Sequence, residues 1–518
     1  MSAPRREDAT VLVGVDVGTT AAKAIAFDVR GNAVSSGEAG YPLLEPEPGQ
    51  AVQDPDVVVE GALRAVRDAV TGARARGARV AGLSLSSAMH ALVALDGDDR
   101  PLTRIVTWAD MRAAEQAERL RRERPELHDR TGAPLHPMAP LPKLVWFAER
   151  EPETFAAARR WVGIKELVIA RLTGTWAVDH SLASGTGLMN LEALDWDPEA
   201  LEVAGLGRER LAALVPVKER LALGAGAGAE LGLEPGLAVV VGAGDGPLAN
   251  LGVGAVRPGV AACSIGTSGA LRVVVERPAI DPARRVFCYA LTPGRWVVGG
   301  AINNGGVVLQ WVGEALAPDL GAHAEEALVA LAAEAPPGSD GLIMLPYLLS
   351  ERAPHWSSEA RGAYVGLTHR HGRAHLVRAA LEGVCQQLAL VLASMRDAGD
   401  EVREVRATGG FARSALWRQM LADALGMPVG FPSGHEGSAF GAALLGMEAL
   451  GLVETIELAA DLVEIDEVVQ PGAAAATYAD LLPAFAALYD ALAPTFPVLA
   501  RHETRRRRQS APGVAGAG

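Results

Sequence analysis

The stretch VLVGVDVGTTAAKAIAFDVRGNAV, residues 11–34, decides the fold. An apolar run beginning at Val11 is interrupted from Asp16 onward by polar residues, and apolar alternation then resumes. Alternation on both sides of a short glycine-containing turn predicts a β-hairpin, and the tripeptide RGN predicts a second turn before a further strand. The stretch GVAACSIGTSGALRVVVE, residues 259–276, repeats this arrangement about half a chain later.

The two polar turns carry residue types that bind phosphate. In each turn a glycine follows a strand and precedes hydroxyl side chains: Gly18, Thr19 and Thr20 in the first, and Gly266, Thr267 and Ser268 in the second. Glycine tolerates positive φ, so successive N–H groups can converge on an anion. Either turn alone is equally well explained as a plain hairpin. The pair favours a phosphate clamp, with Lys23 as an added cation and Asp16 as a ligand of Mg²⁺ through water.

Composition and charge exclude several classes of function. The chain has 518 residues, 49% apolar and 21% charged, so we expect two domains of similar size with large cores. A formal charge of −14 argues against a nucleic-acid surface. The three cysteines are too scattered for a disulfide framework, and no segment has the roughly 20 uninterrupted apolar residues of a membrane helix. The N-terminus lacks a signal-peptide core, so we expect a cytoplasmic protein without membrane contact.

Strands alternate with helices along the chain, which predicts α/β sheets of parallel or mixed strands. Residues 55–77 have helical spacing, while RVAGLSLSS and LAVVVGAG have the apolar runs of buried strands. The Pro-Gly pair at Pro258 marks a domain boundary. The predicted organisation is a disordered N-terminus, a first domain, a second domain and a disordered arginine-rich tail: residues 1–10, 11–257, 258–500 and 501–518.

Two loops follow predicted strands and precede predicted helices. Asp245 stands where α/β proteins gather catalytic groups, but aspartate also favours the N-cap of a helix, and the residues alone favour the N-cap. Gly409 and Gly410 would let a ligand approach the backbone closely, although a tight strand-to-helix turn explains them as well.

Further polar residues are of the types that line a polyol pocket. They provide an aromatic wall, a carboxylate acceptor and a guanidinium donor: Met89, His90, Trp108, Asp110 and Arg112. For any one of them alone, an ordinary strand end or helix start is favoured. The histidines of LTHRHGRAH, residues 367–375, lack an acidic partner at a metal-ligand spacing and predict a solvated loop.

Two long motifs resemble the signatures of the FGGY carbohydrate kinase family. MAPLPKLVWFAER, residues 138–150, departs from the first signature only at Arg150, and GAYVGLTHRHGRAHLVRAALE, residues 362–382, fits the second. With the two turns, they extend the resemblance from Val13 to about Gly451. The resemblance implies two actin-like (ribonuclease H-like) domains with a nucleotide and sugar cleft between them. It also implies ATP and Mg²⁺ as cofactors, and a homodimer is a common assembly in this family.

The resemblance also implies roles for individual residues. The two turns match the family's phosphate motifs, and TGGF, containing Gly409, Gly410 and Phe411, matches its adenosine-binding loop. Asp245 falls on the catalytic base. Phosphoryl transfer agrees with this assignment, because the attacking alcohol must lose a proton and a nearby carboxylate accepts it.

Several stretches, among them PLTRIVTWADMR and TGAPLHPMAPLPKLVW, most resemble the gluconate-phosphorylating branch of the family. We therefore expect D-gluconate to be phosphorylated on its C6 hydroxyl, with a pentulose such as xylulose as the alternative. An actin- or chaperone-like ATPase is the alternative from another class. The substrate carboxylate calls for a cation or convergent donors, for which Arg112, His136 and Lys165 are candidates; Lys165 is equally suited to a structural ion pair.

Overall fold

The computed structural model describes residues 10–321, 325–433 and 437–502. It contains two large mixed β-sheets, one in each half of the chain. Of the two termini predicted to be disordered, all but Thr10 and residues 501–502 lie outside the described residues.

The first sheet has six strands, which lie side by side in the order Arg220–Ala222, Ala238–Gly244, Arg79–Ser87, Thr10–Val17, Ala21–Asp28 and Ala33–Gly40. The strands Ala238–Gly244, Arg79–Ser87 and Thr10–Val17 are mutually parallel, so their carboxyl ends meet at one edge of the sheet. Thr10–Val17 and Ala21–Asp28 form the predicted hairpin, in which Asp16 lies opposite Lys23.

The second sheet has the same order of equivalent strands and one further strand at the end of the meander. Written from the same edge as the first sheet, its strands are Ile465–Val469, Val429–Pro432, Glu404–Thr408, Val260–Ile265, Gly269–Val275, Arg295–Ile302 and the added Phe287–Thr292. Each sheet contains a three-stranded antiparallel meander, two strands parallel to the first strand of that meander, and an antiparallel edge strand. The two polar turns therefore occupy equivalent places. The prediction of a two-domain α/β fold is confirmed.

Helices connect and cover the sheets. In chain order the α-helices are Pro55–Ala75, Ala114–Glu123, Glu126–Thr131, Pro140–Arg150, Pro152–Ala157, Ile164–Thr173, His180–Ser184, Pro198–Ala204, Ala225–Leu231, Asp245–Gly252, Gly306–Leu316, Glu325–Ala333, Arg373–Asp397, Ala415–Leu425, Gly437–Ala449, Ala459–Leu462 and Ala475–Leu492. The remaining strands form two-stranded pairs: Val52–Gln53, Val93–Leu95, Ile105–Val106, Arg160–Val162, Ala177–Asp179, Met189–Asn190, Asp195–Trp196, Ala213–Val215, Ile343–Leu345 and Ala363–Val365.

Local sequence explains where the first helix begins. The Asp54 carboxylate accepts hydrogen bonds from the N–H groups of Asp56 and Val57, at 3.1 and 3.3 Å. Pro55 occupies the first helical position, where its missing N–H would have no intrahelical partner. The helix ends at Ala75, two residues before the predicted end.

The helix Gly437–Ala449 comes from the second half of the chain but packs on the first sheet. A Cβ atom at Gly14 would lie 2.0 Å from the carbonyl oxygen of Ala439. A Cβ atom at Gly446 would lie 2.5 Å from the Cβ atom of Ser84. Glycine is therefore required where this helix meets the sheet. The helix joins the two halves across the predicted boundary at Pro258, which stays a prediction.

Among the described residues, two helical segments are long and apolar enough to cross a membrane by length and composition alone: Arg373–Asp397, and Ala475–His502, which continues the helix Ala475–Leu492 through the 3-10 turn Ala493–Thr495. The apolar window of the first is 83% buried within the protein, which is typical of a core helix. The corresponding window of the second is 11% buried. The expected absence of membrane contact stays a prediction.

We predict that Gly14→Ala destabilises the fold, because the added methyl group overlaps the backbone of Ala439. The expected loss in the free energy of unfolding is about 1–3 kcal/mol, the usual cost of overpacking. Gly97→Ala is the matched control, since a Cβ atom there meets nothing within 4 Å. Urea unfolding of both variants checks the prediction, and equal midpoints would contradict the close packing of this helix.

Candidate active site

Three polar side chains meet where the parallel strands of the first sheet end. Asp16 lies opposite Ser86 in the sheet register, and Ser86 lies opposite Ala243, two residues before Asp245. The Ser86 hydroxyl donates a hydrogen bond of 2.7 Å to Asp16 Oδ1. Burial raises the pKa of Asp16, while hydrogen bonds with the Ser86 and Ser438 hydroxyls and the charge of Lys23 oppose that rise.

Asp245 is the first residue of the helix Asp245–Gly252, and Gly244 occupies the N-cap. The N-cap interpretation of Asp245 is therefore wrong. Its Oδ1 accepts a hydrogen bond of 2.6 Å from the Gly246 N–H. Burial and the neighbouring Asp16 raise the pKa of Asp245 to about 7, against the charge of Arg272. A carboxylate that titrates near neutral pH is suited to act as a general base.

Two cavities lie on either side of the second polar turn. The smaller has a volume of about 280 Å³ and is lined by residues of both halves, including Met89, His90, Trp108, Asp245, Arg272 and Arg352. The larger has a volume of about 970 Å³ and is lined by residues of the second half, including Gly266, Thr267, Gln310, Gly410, Phe411 and Trp417. Gly266 and Thr267 face the larger cavity, whereas Ser268 faces the smaller.

The second turn is held by the start of the helix Gly306–Leu316. The N–H of Gly306 donates to the carbonyl of Gly266 at 2.6 Å, and the N–H of Gly305 donates to that of Thr267 at 3.1 Å. A Cβ atom at Gly305 would lie 2.7 Å from the Ser268 carbonyl oxygen, so the turn and the helix pack backbone to backbone. The turn thus forms a fixed wall between the cavities.

The predicted reason for the turn glycines needs correction, because neither Gly18 nor Gly266 has positive φ. A Cβ atom at Gly266 would meet nothing within 4 Å, so this glycine leaves free space beside the turn. Gly409 does have positive φ, at +122°, and a Cβ atom there would lie 2.1 Å from the Ile265 carbonyl oxygen. Gly409 is therefore needed for the close approach of two neighbouring strand ends, and Gly410 and Phe411 face the larger cavity.

The first turn is fastened to the wall of the smaller cavity. The Trp108 indole N–H donates to Thr19 Oγ1 at 2.9 Å. The Tyr41 hydroxyl donates to the Gly18 carbonyl at 2.7 Å, and Gln53 Nε2 donates to that of Thr19 at 2.6 Å. Thr19 lines the smaller cavity, whereas the neighbouring Thr20 is exposed.

His90 presents a hydrogen-bond acceptor to the smaller cavity. Burial lowers its pKa to about 3, so the ring is neutral at physiological pH. Its Nδ1 lies 2.8 Å from the Gly185 carbonyl oxygen. Because a carbonyl only accepts, Nδ1 carries the proton and Nε2 is left as an acceptor.

Asp110 and Arg112 do not line the cavity, which corrects their predicted contact with a substrate. Both oxygens of the fully buried Asp110 accept hydrogen bonds of 2.8 Å from the Arg112 guanidinium. Asp110 also accepts from the Ala51 N–H at 2.8 Å. The pair therefore fixes the loop that follows Trp108.

Lys165 and His136 also lie behind the cavity wall. The Lys165 ammonium is 2.6 Å from Asp179 Oδ2 and donates to the Ala243 carbonyl at 3.0 Å. Lys165 therefore forms a structural ion pair, the alternative to substrate binding that the sequence left open. His136 packs edge-on against Trp356, with ring centroids 5.8 Å apart. Burial lowers the pKa of His136 well below its usual value, so it supplies no positive charge at neutral pH.

Lys143 belongs to the first quoted signature, but its role was missed. The side chain is fully buried, and its ammonium donates to the carbonyls of His90, Thr107 and Met138, at 2.7, 2.8 and 2.7 Å. These three carbonyls lie beside residues that line the smaller cavity. One cation thus holds three separate segments of the cavity wall. An isolated lysine after two prolines gives no sequence signal for such a role.

The cations that do line the smaller cavity are Arg272 and Arg352, which the sequence interpretation also missed. Among the described residues, neither guanidinium has a carboxylate within ion-pair distance. The only signal for Arg272 was a charged residue within the apolar strand Gly269–Val275. Arg352 follows strand and loop residues in a segment without periodicity, so its burial was not predictable.

The described residues contain no group of three or more His, Cys, Asp and Glu side chains suited to a metal, and the histidines at 369–375 form none. Asp16 and Asp245 nevertheless fit Mg²⁺. Mg²⁺ is commonly held by one or two carboxylates together with phosphate oxygens and water, and here the charge of Asp16 raises the pKa of the neighbouring Asp245. A divalent cation bound beside Asp16 would relieve that repulsion.

Comparison with known proteins agrees with this arrangement. Residues 11–252 match the N-terminal domain, and residues 261–450 the C-terminal domain, of the FGGY family of carbohydrate kinases. A gluconokinase of Bacillus subtilis (strain 168) is 40% identical over 469 residues, which cover 87% of this chain and 90% of that protein.

Two crystal structures of Lactobacillus acidophilus proteins are also similar. One is a gluconate kinase with a TM-score of 0.90 and 34% identity, covering 95% of this chain and 99% of the other. The second is a ligand-bound xylulose kinase with the same TM-score and identity, covering 95% and 100%. The similar proteins are therefore kinases named for two different substrates, gluconate and xylulose.

We predict that Lys143→Met lowers the free energy of unfolding by about 3 kcal/mol or more, because three buried carbonyls lose their donor. Lys218→Met is the control, since Lys218 forms a partly exposed ion pair with Glu448. Thermal unfolding compares the two variants. If Lys143→Met unfolds at the temperature of Lys218→Met, the ammonium does not hold the cavity wall together.

Proposed function

The chain belongs to the FGGY family of carbohydrate kinases, and on that premise we propose that it transfers the γ-phosphate of ATP to the C6 hydroxyl of D-gluconate, giving 6-phosphogluconate. One observation carries the proposal. The smaller cavity combines a carboxylate that titrates near neutral pH, Asp245, with two arginines that form no ion pair with a carboxylate in the described part of the chain.

The two cavities divide the ligands between them. In the proposal ATP occupies the larger cavity, with its base near Gly410 and Phe411 and its phosphates directed along Gly266 and Thr267. Gluconate occupies the smaller cavity, beyond Ser268. Bound Mg²⁺, with Asp16 as its protein ligand, would neutralise phosphate charge.

Asp245 acts as the general base in this proposal. Its carboxylate accepts the proton of the C6 hydroxyl as that oxygen forms a bond to the γ-phosphorus. The bond between the γ-phosphorus and the oxygen of ADP breaks, and ADP leaves. Such a base contributes about 10²–10⁴-fold to the rate, and the rest comes from positioning and charge neutralisation.

Charge distinguishes gluconate from a pentulose as the substrate. Xylulose is neutral and would leave a buried guanidinium of the cavity without a charged partner, which is unfavourable. Gluconate carries a carboxylate that can form charge-assisted hydrogen bonds with an arginine. Among the similar proteins, the B. subtilis gluconokinase supports gluconate, whereas the L. acidophilus xylulose kinase keeps xylulose as a second candidate.

The first test is ADP release with Mg-ATP and D-gluconate, D-xylulose, L-ribulose, glycerol or no acceptor. We expect gluconate-dependent turnover that Asp245→Asn reduces by about 10²–10⁴-fold in kcat, with little change in the gluconate KM. The exposed Asp98→Asn serves as control. Turnover with xylulose instead of gluconate would contradict the substrate. Acceptor-independent ADP release that Asp245→Asn leaves unchanged would contradict sugar phosphorylation.

The second test is the pH dependence of kcat/KM for gluconate. Because the base must be ionised, we expect kcat/KM to rise with pH and then to level off. Burial and Asp16 place the pKa of Asp245 at about 7 without a metal ion, and Mg²⁺ beside Asp16 lowers it, so the inflection lies below about 7. Arg272→Gln removes a stabilising cation and moves the inflection to higher pH. An inflection that Arg272→Gln does not shift would contradict the assignment of the base.

A further inference from the structure

Arg352 is buried but forms no ion pair with a carboxylate among the described residues. The residue is 9% exposed and lines the smaller cavity. Nη2 donates to the Ile302 carbonyl at 3.0 Å, whereas Nε is buried and has no hydrogen-bond partner in the described structure. A buried guanidinium with an unused donor is costly unless a ligand pairs with it.

The acidic residue next to it does not fill this role. Glu351 is fully buried, and its carboxylate accepts from the N–H groups of Asn303 and Arg352, at 2.6 and 2.9 Å, and from Asn304 Nδ2 at 3.0 Å. These donors hold Glu351 toward the loop that precedes the helix Gly306–Leu316. Glu351 therefore fixes the backbone at Arg352 but forms no ion pair with its guanidinium in the described structure, although the two charges do act on each other.

The guanidinium is held in place before any ligand binds. It lies over the ring of Trp108, with 4.8 Å between the guanidinium carbon and the ring centroid. The following residue, Ala353, donates its N–H to the Ala301 carbonyl at 2.9 Å. Because the side chain is already ordered, binding an anion costs little further conformational entropy.

Arg272 and Arg352 serve different parts of the cavity. A Cβ atom at Gly246, next to Asp245, would lie 3.5 Å from Arg272 Nε, so Arg272 lies beside the proposed base. Arg352 lies over the ring of Trp108, where the charges of Arg272 and Asp245 still act on it. Gluconate has its carboxylate and its C6 hydroxyl at opposite ends of the carbon chain, so a substrate whose hydroxyl contacts Asp245 can direct its carboxylate toward Arg352.

We propose that Arg352 binds the C1 carboxylate of the substrate and makes the enzyme selective for an aldonate over a neutral polyol or ketose of similar length. The inference rests on the proposed phosphorylation of gluconate and adds the residue that selects it. Arg352 is a substrate-binding residue in this account, and the proton transfer belongs to Asp245.

The test pairs D-gluconate with D-gluconamide, which has nearly the same shape but no charge at C1. Initial rates with Mg-ATP give kcat and KM for both acceptors in the wild type, Arg352→Gln and Arg352→Lys. The exposed Arg100→Gln, at a surface ion pair, is the matched control. Inhibition of gluconate turnover by gluconamide supplies its binding constant where its own turnover is slow.

In the wild type we expect gluconate to be favoured over gluconamide by about 10²–10³-fold in kcat/KM, the effect of removing one partner of a buried charge pair. Arg352→Gln should raise the gluconate KM by a similar factor, leave kcat within a few-fold, and remove the preference. Arg352→Lys keeps the charge without the planar fork and should retain part of the preference. Arg100→Gln should match the wild type.

An equal loss for both acceptors in Arg352→Gln would overturn the inference, since it would indicate a structural or phosphate-binding role. An unchanged preference for gluconate would overturn it as well. If Arg352→Gln does not fold, Arg352→Lys supplies the test: an equal loss of kcat/KM for gluconate and gluconamide in that variant would overturn the inference as well. A wild-type enzyme that phosphorylates no gluconate would remove the proposed function itself, which is a distinguishable result.

Discussion

Asp16 and Asp245 carry like charges, and the parallel strands of the first sheet bring them to the same edge. Asp16 is the second-last residue of one strand, Asp245 follows another, and Ser86 lies on the strand between them. Their repulsion is balanced by hydroxyl donors at Asp16 and by Arg272 near Asp245. The sheet must hold this arrangement against the repulsion, and Lys165, bonded to the Ala243 carbonyl, supports the strand that leads to Asp245. The acidity proposed for the base follows from this arrangement.

The second sheet supplies the other side of the site through its equivalent turn. Gly266 and Thr267 face the larger cavity and Ser268 faces the smaller, so one short turn contributes to both. The helix Gly437–Ala449, which packs on the first sheet, ties the two halves together, and its Ser438 hydrogen bonds with Asp16. The repeated topology therefore explains why two similar hairpins stand in one chain: each half contributes one turn to a shared site.

Local patterns predicted the parts of the structure that depend on neighbouring residues. Alternation and turn residues sufficed for both hairpins, and the capping aspartate and proline sufficed for the start of the helix Pro55–Ala75. The sequence interpretation failed for buried cations that pair within the protein. Arg112 pairs with Asp110, only two residues away, and Lys165 pairs with Asp179 through tertiary packing, so neither charge reaches the cavity. Arg352 does reach it, and only the structure reveals this, through its place in the cavity wall and its buried Nε, which has no hydrogen-bond partner among the described residues.

The central claim is that gluconate lies with its C6 hydroxyl at Asp245. A crystal structure of the protein with D-gluconate and a non-hydrolysable ATP analogue tests it most directly. The account predicts that the C6 oxygen lies within hydrogen-bond distance of the Asp245 carboxylate while the C1 carboxylate contacts Arg352. A gluconate bound in the reverse direction, with its carboxylate beside Arg272 and its C6 hydroxyl remote from Asp245, would contradict the account.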